Sequence, residues 1–113
     1  MKRLCYALDL VDDVSLIAEY ESAHEKIWPE VADSLRNAGV EDMEIYRVAT
    51  RLFMIMDTTD DYDPETRNEA DEADPRVQEW EELMGKYQQS LAFAAPGEKW
   101  VLMNRIFSLS SQA

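Results

Sequence analysis

His24 is the only histidine in the chain, and histidine is the one side chain whose ordinary pKa lies near neutrality. Proton exchange at physiological pH therefore falls to it first. Tyr20 stands four residues earlier, a spacing that puts both side chains on one face of a helix. Leu16, Ile17 and Ile27 recur on that same face, so it is the apolar face turned toward a sheet. An imidazole and a phenol at the edge of a core make a pocket wall able to trade protons with a ligand. Spacing alone also accommodates the plainer alternative, a half-buried histidine hydrogen-bonded to backbone.

Other chemistries find less support. Cys5, the single cysteine, sits in an apolar strand-like run and reads as a buried structural thiol; alone, it permits no internal disulfide. One His, one Cys and scattered carboxylates give no zinc-like spacing, and Asp57, Asp60, Asp61 and Asp63 lack the glycine and terminal glutamate of a calcium loop. There is no phosphate-cradling glycine loop and no nucleophile elbow. Trp28 and Trp80 could lay an indole against the C–H face of a sugar, although tryptophans at such positions serve equally as core. Arg47 and Arg105 interrupt apolar strands, which suits either the anchoring of hydroxyl groups or an interface salt bridge.

The elements that must position these residues follow from periodicity and punctuation. Residues 3–10 alternate as a strand, with Leu4, Tyr6, Leu8 and Leu10 on one face. Asp12 or Asp13 caps a helix that should run to about Trp28, since the residue before a proline avoids the helical region. Pro29 opens a second short helix, 29–38, with Val31, Leu35 and Ala38 as its stripe and Gly39 as its stop. Residues 43–49 and 51–57 read as a hairpin turning around Thr50. Asp63-Pro64 and Asp74-Pro75 each pair a cap with a first-turn proline, predicting a short helix and then a longer one over 75–92 striped by Val77, Trp80, Met84, Tyr87 and Leu91. Pro96-Gly97 breaks the chain, and 99–109 is the expected closing strand.

That order, β-α-β-β-α-β with the first helix bent at Trp28-Pro29, predicts one α+β domain over residues 1–113. Its layout is ferredoxin-like, with a four-stranded antiparallel sheet. The strands 51–57 and 99–109 are apolar on both alternating faces, yet two helices cover only one face of a sheet. The other face calls for a second copy, so the expectation is a face-to-face homodimer, a dimeric α/β-barrel.

Composition narrows the partners. With 24 acidic and 11 basic residues among 113, the net charge is −13, which repels phosphate backbones and anionic membranes and argues against nucleic acid. A neutral ligand meets no such penalty. Hydrophobic residues at 46% support a packed core. The N-terminal run MKRLCYALDLVDD is too short and too soon interrupted by Asp9 to be a signal peptide, and no stretch is long enough to span a membrane. The cytoplasm is the expected compartment.

The segment Tyr20-Glu-Ser-Ala-His24-Glu-Lys-Ile-Trp28-Pro29-Glu30 resembles the Y-x-x-x-H-x-x-I-W-P-E stretch of the L-rhamnose mutarotase family. The likeness continues through Leu35 to Gly39, Ile45-Tyr46, Trp80-x-x-x-Met84 and Phe107 to Leu109. It implies a cofactor-free isomerase that interconverts the α and β anomers of a deoxy-hexose by acid–base ring opening and closure. The resemblance casts His24 as proton donor and places Tyr20 and Trp80 against the sugar. Two further substrate-contacting positions depart from the rhamnose pattern: a second tryptophan is Glu81 here, and a tyrosine after Gly39 is Met43. These changes suit an L-fucose-acting subgroup at least as well as an L-rhamnose one. Two rivals keep the same fold. A cofactor-free monooxygenase would consume oxygen, and a ligand-binding dimer module would keep Tyr20 and Trp80 but have no use for the imidazole of His24.

Overall fold

The structure, a computed structural model, describes residues 1–113. Strand β1 (Lys2–Leu10) leads into helices α1 (Val14–Glu25) and α2 (Pro29–Asn37), then strands β2 (Val40–Val48) and β3 (Arg51–Thr58). Helices α3 (Pro64–Glu72) and α4 (Pro75–Gly85) follow, with short strands β4 (Gln88–Gln89) and β5 (Val101–Leu102) and a final 3-10 turn, Leu109–Ser111. The sheet order is β2-β3-β1, and both β4 and β5 pair antiparallel with the remaining edge of β1. This is the ferredoxin-like α+β arrangement expected from the element order.

Local chemistry explains the helix starts. The Asp13 carboxylate accepts from the Leu16 amide at 3.0 Å, Asp63 from Glu65 at 3.2 Å, and Asp74 from Arg76 at 3.0 Å. Each satisfies an amide that the first helical turn leaves without a partner. Pro29, Pro64 and Pro75 sit at first-turn positions where a missing N–H costs nothing.

Register assigns the faces. Leu8 lies opposite Leu52 and Leu4 opposite Met56 across β1 and β3, while Met43 and Ile45 of β2 face Met56 and Met54. This inner face supplies Leu8, Leu10, Leu52 and Met56, all 2% exposed or less. Against it pack Tyr20 and Val31 from the first two helices and Trp80 and Met84 from α4. The outer face carries Cys5, Ala7, Phe53 and Ile55, bracketed by two cross-strand ion pairs, Arg3–Asp57 at 2.8 Å and Asp9–Arg51 at 2.5 Å. None of these outer residues belongs to a buried core cluster of the chain.

Four boundaries differ from the sequence expectation, the first being β2, which starts at Val40 rather than at residue 43. Helix α1 stops at Glu25, because Lys26 is already extended and the pre-proline restriction holds Trp28 at ψ 137°. Helix α4 ends at Gly85, a poor helix former, and Tyr87 and Leu91 reach the core from the chain beyond it. The closing strand shrinks to Val101–Leu102. After the Met103 amide bonds to the Cys5 carbonyl at 2.8 Å, the chain leaves the sheet with Ile106, Phe107 and Leu109 exposed. The apolar pattern of 99–109 asks for cover on both sides, and the helices of one chain provide it on one side only.

Gly39 stops α2 at φ 98°, a conformation that side chains avoid, and a Cβ there would stand 2.6 Å from the Thr59 hydroxyl oxygen. Its carbonyl also accepts from the Thr59 amide at 2.9 Å, tying the helix end to the end of β3. Gly39→Ala is expected to lower stability by about 1–2 kcal/mol, the cost of left-handed backbone for an L-residue, as read by urea unfolding.

Candidate functional site

Helix α1 presents His24 to the gap between itself and the edge of the sheet. The Nδ1 of His24 lies 2.8 Å from the Tyr20 backbone carbonyl. A carbonyl only accepts, so Nδ1 carries the hydrogen, and Nε2 is the nitrogen free to meet a ligand. The Tyr20 ring stacks obliquely on the imidazole at 4.4 Å between centroids, and Trp80 meets it edge-on at 5.6 Å. Trp28 in turn meets Trp80 at 5.3 Å and lies under the Arg76 guanidinium, 3.8 Å away. The imidazole thus has its axis fixed by a backbone hydrogen bond and two rings, with little freedom left to tilt.

In front of it is an open hollow of about 450 Å³. Its α1 wall is Tyr20, Glu21, His24 and Glu25, its sheet wall is Ile45, Tyr46 and Arg47, and Leu52 is its floor. That size suits a monosaccharide. His24 is half-buried, so it is neither sealed in the core nor free in solvent. Arg47, which breaks the apolar pattern of β2, points inward, opposite Leu52, and pairs with Glu21 across the hollow's mouth.

A larger cleft, about 680 Å³, opens between α2, α3 and the turn after β3. It is lined by carboxylates such as Glu30, Asp33 and Asp63, and its arginine, Arg67, is already engaged with Tyr62 and Asp71. No three His, Cys, Asp or Glu side chains gather as a metal-binding group anywhere in the chain.

The residues singled out from sequence divide by position. His24 and Tyr20 line the hollow, and Trp80, 6% exposed, backs the imidazole from the core side. Met43 lies in a separate apolar cluster with Val40, Met56 and Tyr62, outside the lining. Glu81 also lies outside it and pairs with Lys99 at 3.8 Å. Arg105 is exposed beyond the sheet. Sequence reasoning missed Glu21 and Glu25 altogether. Their places beside His24 on the helix were readable, but nothing in the sequence showed that β2 would come to face them.

Burial pushes the Tyr20 phenol above the ordinary tyrosine value; the hydrogen bond from Gln88 pulls the other way, and the Glu81 charge adds to the rise. Tyr20 therefore meets a ligand as a neutral hydroxyl. Burial raises Tyr6 as well. A phenol that ionises later in the folded state stabilises the fold fully below the unfolded value of about 10, and that contribution disappears as pH climbs through the folded value. Unfolding stability is expected to fall above about pH 10, and less steeply in Tyr20→Phe, when urea midpoints are compared on either side of that value.

Comparison with known proteins gives the family. The family model described as L-rhamnose mutarotase matches residues 3–109. An L-fucose mutarotase from Xanthomonas campestris is 51% identical over 112 residues, covering 97% of this chain and 90% of that protein. An L-rhamnose mutarotase from Paraburkholderia xenovorans is 32% identical over 92 residues, covering 80% and 82% of the two chains. Among solved structures, an L-rhamnose mutarotase from Formosa agariphila superposes with a TM-score of 0.71 at 18% identity, covering 96% of this chain and 99% of that one, a likeness of fold. With a family match over nearly its whole length, this chain belongs to the L-rhamnose mutarotase family, isomerases of sugar anomers.

Proposed function

We propose that this protein interconverts the α and β anomers of a deoxy-hexose of the L-fucose or L-rhamnose type, with His24 as the proton donor to the ring oxygen. The observation that carries the reading is the oriented imidazole at the wall of a sugar-sized hollow, in a chain 51% identical to an L-fucose mutarotase. That identity favours L-fucose over L-rhamnose. The reaction asks for one proton delivered to the ring oxygen and one removed from the anomeric hydroxyl, followed by rotation about C1–C2 and reclosure. It moves no electrons to another molecule, so it needs no cofactor. Tyr20 offers a neutral hydroxyl to the sugar, and the Trp80 indole keeps the imidazole in place. Glu81 contributes from outside the hollow, through its charge on Tyr20.

The active form in this proposal is a homodimer joined through the outer sheet face. Cys5, Ala7, Phe53 and Ile55 form an apolar centre with ion pairs at both ends, the pattern of an interface core and its rim. The exposed Ile106, Phe107 and Leu109 add apolar surface that this chain leaves uncovered. A cytoplasmic location belongs to the same reading, supported by the single free cysteine. No helix is long and apolar enough to cross a membrane.

Saturation-transfer NMR on L-fucose and L-rhamnose at anomeric equilibrium tests the activity. Wild type should accelerate α/β exchange, and His24→Asn should lose about 10²–10⁴-fold of that acceleration, the usual worth of a positioned acid–base group. Absence of acceleration with every deoxy-hexose tried ends the mutarotase reading. Light scattering should give twice the 13.1 kDa chain mass, and Phe53→Glu should return it to one chain.

A further inference from the structure

Resting on that reading, we propose that Glu21 is the second proton carrier of the site, the base for the anomeric hydroxyl, with its carboxylate aimed by Arg47. Opening the ring moves protons at two oxygens on the same carbon, so the donor and the acceptor must both reach one small region. His24 supplies the donor. The hollow's other walls narrow the choice of acceptor.

Tyr20 is a protonated phenol and offers a hydrogen. The Tyr46 side chain belongs to the outer sheet face, paired in register with Phe53, and its hydroxyl bonds to Glu44 at 3.2 Å. Glu81 lies outside the hollow, beside Lys99. Two carboxylates remain, Glu21 and Glu25. Glu25 is the last residue of α1 and makes no ion pair, so nothing fixes its direction. Glu21 is fixed: its Oε1 accepts from Arg47 Nε. Arg47 is fixed in turn, since its Nη1 donates to the Ala49 carbonyl at 2.8 Å. The turn at Ala49 holds a left-handed φ of 51°, which brings that carbonyl within reach of the strand's own arginine. One carboxylate oxygen engaged by Arg47 leaves the other with free lone pairs. A base held in one direction contributes far more than a mobile one.

The protons balance. The anomeric O–H proton passes to the free Glu21 oxygen, C1–O1 becomes a carbonyl, and the C1–ring oxygen bond breaks. Its electron pair stays on the ring oxygen, which takes the proton on His24 Nε2. After rotation about C1–C2, the new hydroxyl attacks the other face of the aldehyde and returns its proton to His24, while Glu21 returns its proton to O1. Both groups end in their starting states, ready for another turnover.

The pair is at the surface, where an ion pair contributes little to stability, so its variants are expected to fold. By the same NMR exchange measurement, Glu21→Gln should lower kcat by about 100-fold with KM nearly unchanged. Glu21→Ala should be similarly slow, and formate, but not chloride, should restore at least about tenfold by refilling the carboxylate's place. Arg47→Met should lose about tenfold in kcat through misdirection of an intact base, and Arg47→Lys should lose less. Circular dichroism checks that each variant is folded. Glu21→Gln turning over within about threefold of wild type overturns the proposal while leaving the mutarotase reading intact. Slow Glu21 variants without formate rescue also overturn it, because a packing role would not be refilled by a small anion. A wild-type protein with no exchange activity removes both.

Discussion

The site depends on one short contact, the hydrogen bond from His24 Nδ1 to the carbonyl of Tyr20, a helical turn earlier. It settles which nitrogen carries the fixed hydrogen and which is left for chemistry. It also ties the imidazole to the helix that holds it, so the position of Nε2 becomes a property of how α1 packs. That packing rests on Tyr20, which is 4% exposed and meets Tyr87 edge-on at 5.9 Å. Tyr20, Trp80, Trp28 and Tyr87 thereby connect the site to the α1–α2 bend and to the chain just after α4. Loosening any of these rings is paid for at the imidazole.

The sheet contributes from the opposite side. Leu52 is both core residue and floor of the hollow, so the polar site is built directly on the apolar layer. Arg47 lies on the same face as Leu52 but at its exposed end, and Glu21 pairs with it there. The arginine that breaks the strand's apolar pattern thus has a local electrostatic reason. Its other hydrogen bond closes back on the hairpin turn, so the site and the β2–β3 hairpin support each other.

The similarity to the Formosa agariphila structure, 0.71 in TM-score at 18% identity, shows how few constraints this fold places on individual residues. Function needs more, and in the proposed reaction it rests on one imidazole facing one hollow. Family membership accordingly rests on the match over residues 3–109 and not on the architecture alone.

What depends on neighbours along the chain was legible before any fold was known. The caps at Asp13, Asp63 and Asp74, the first-turn prolines, the stop at Gly39, the inner and outer strand faces and the shared helix face of Tyr20 and His24 are all set by local sterics and period. What meets across distance emerged with the folded chain. It brought Arg47 to Glu21, 26 residues apart in the chain, put Leu52 under the hollow, and left Met43 and Glu81 outside it. It also shortened the last strand to Val101–Leu102. Periodicity records that a face will be buried but not against what, because burial lowers free energy whichever apolar surface supplies the cover.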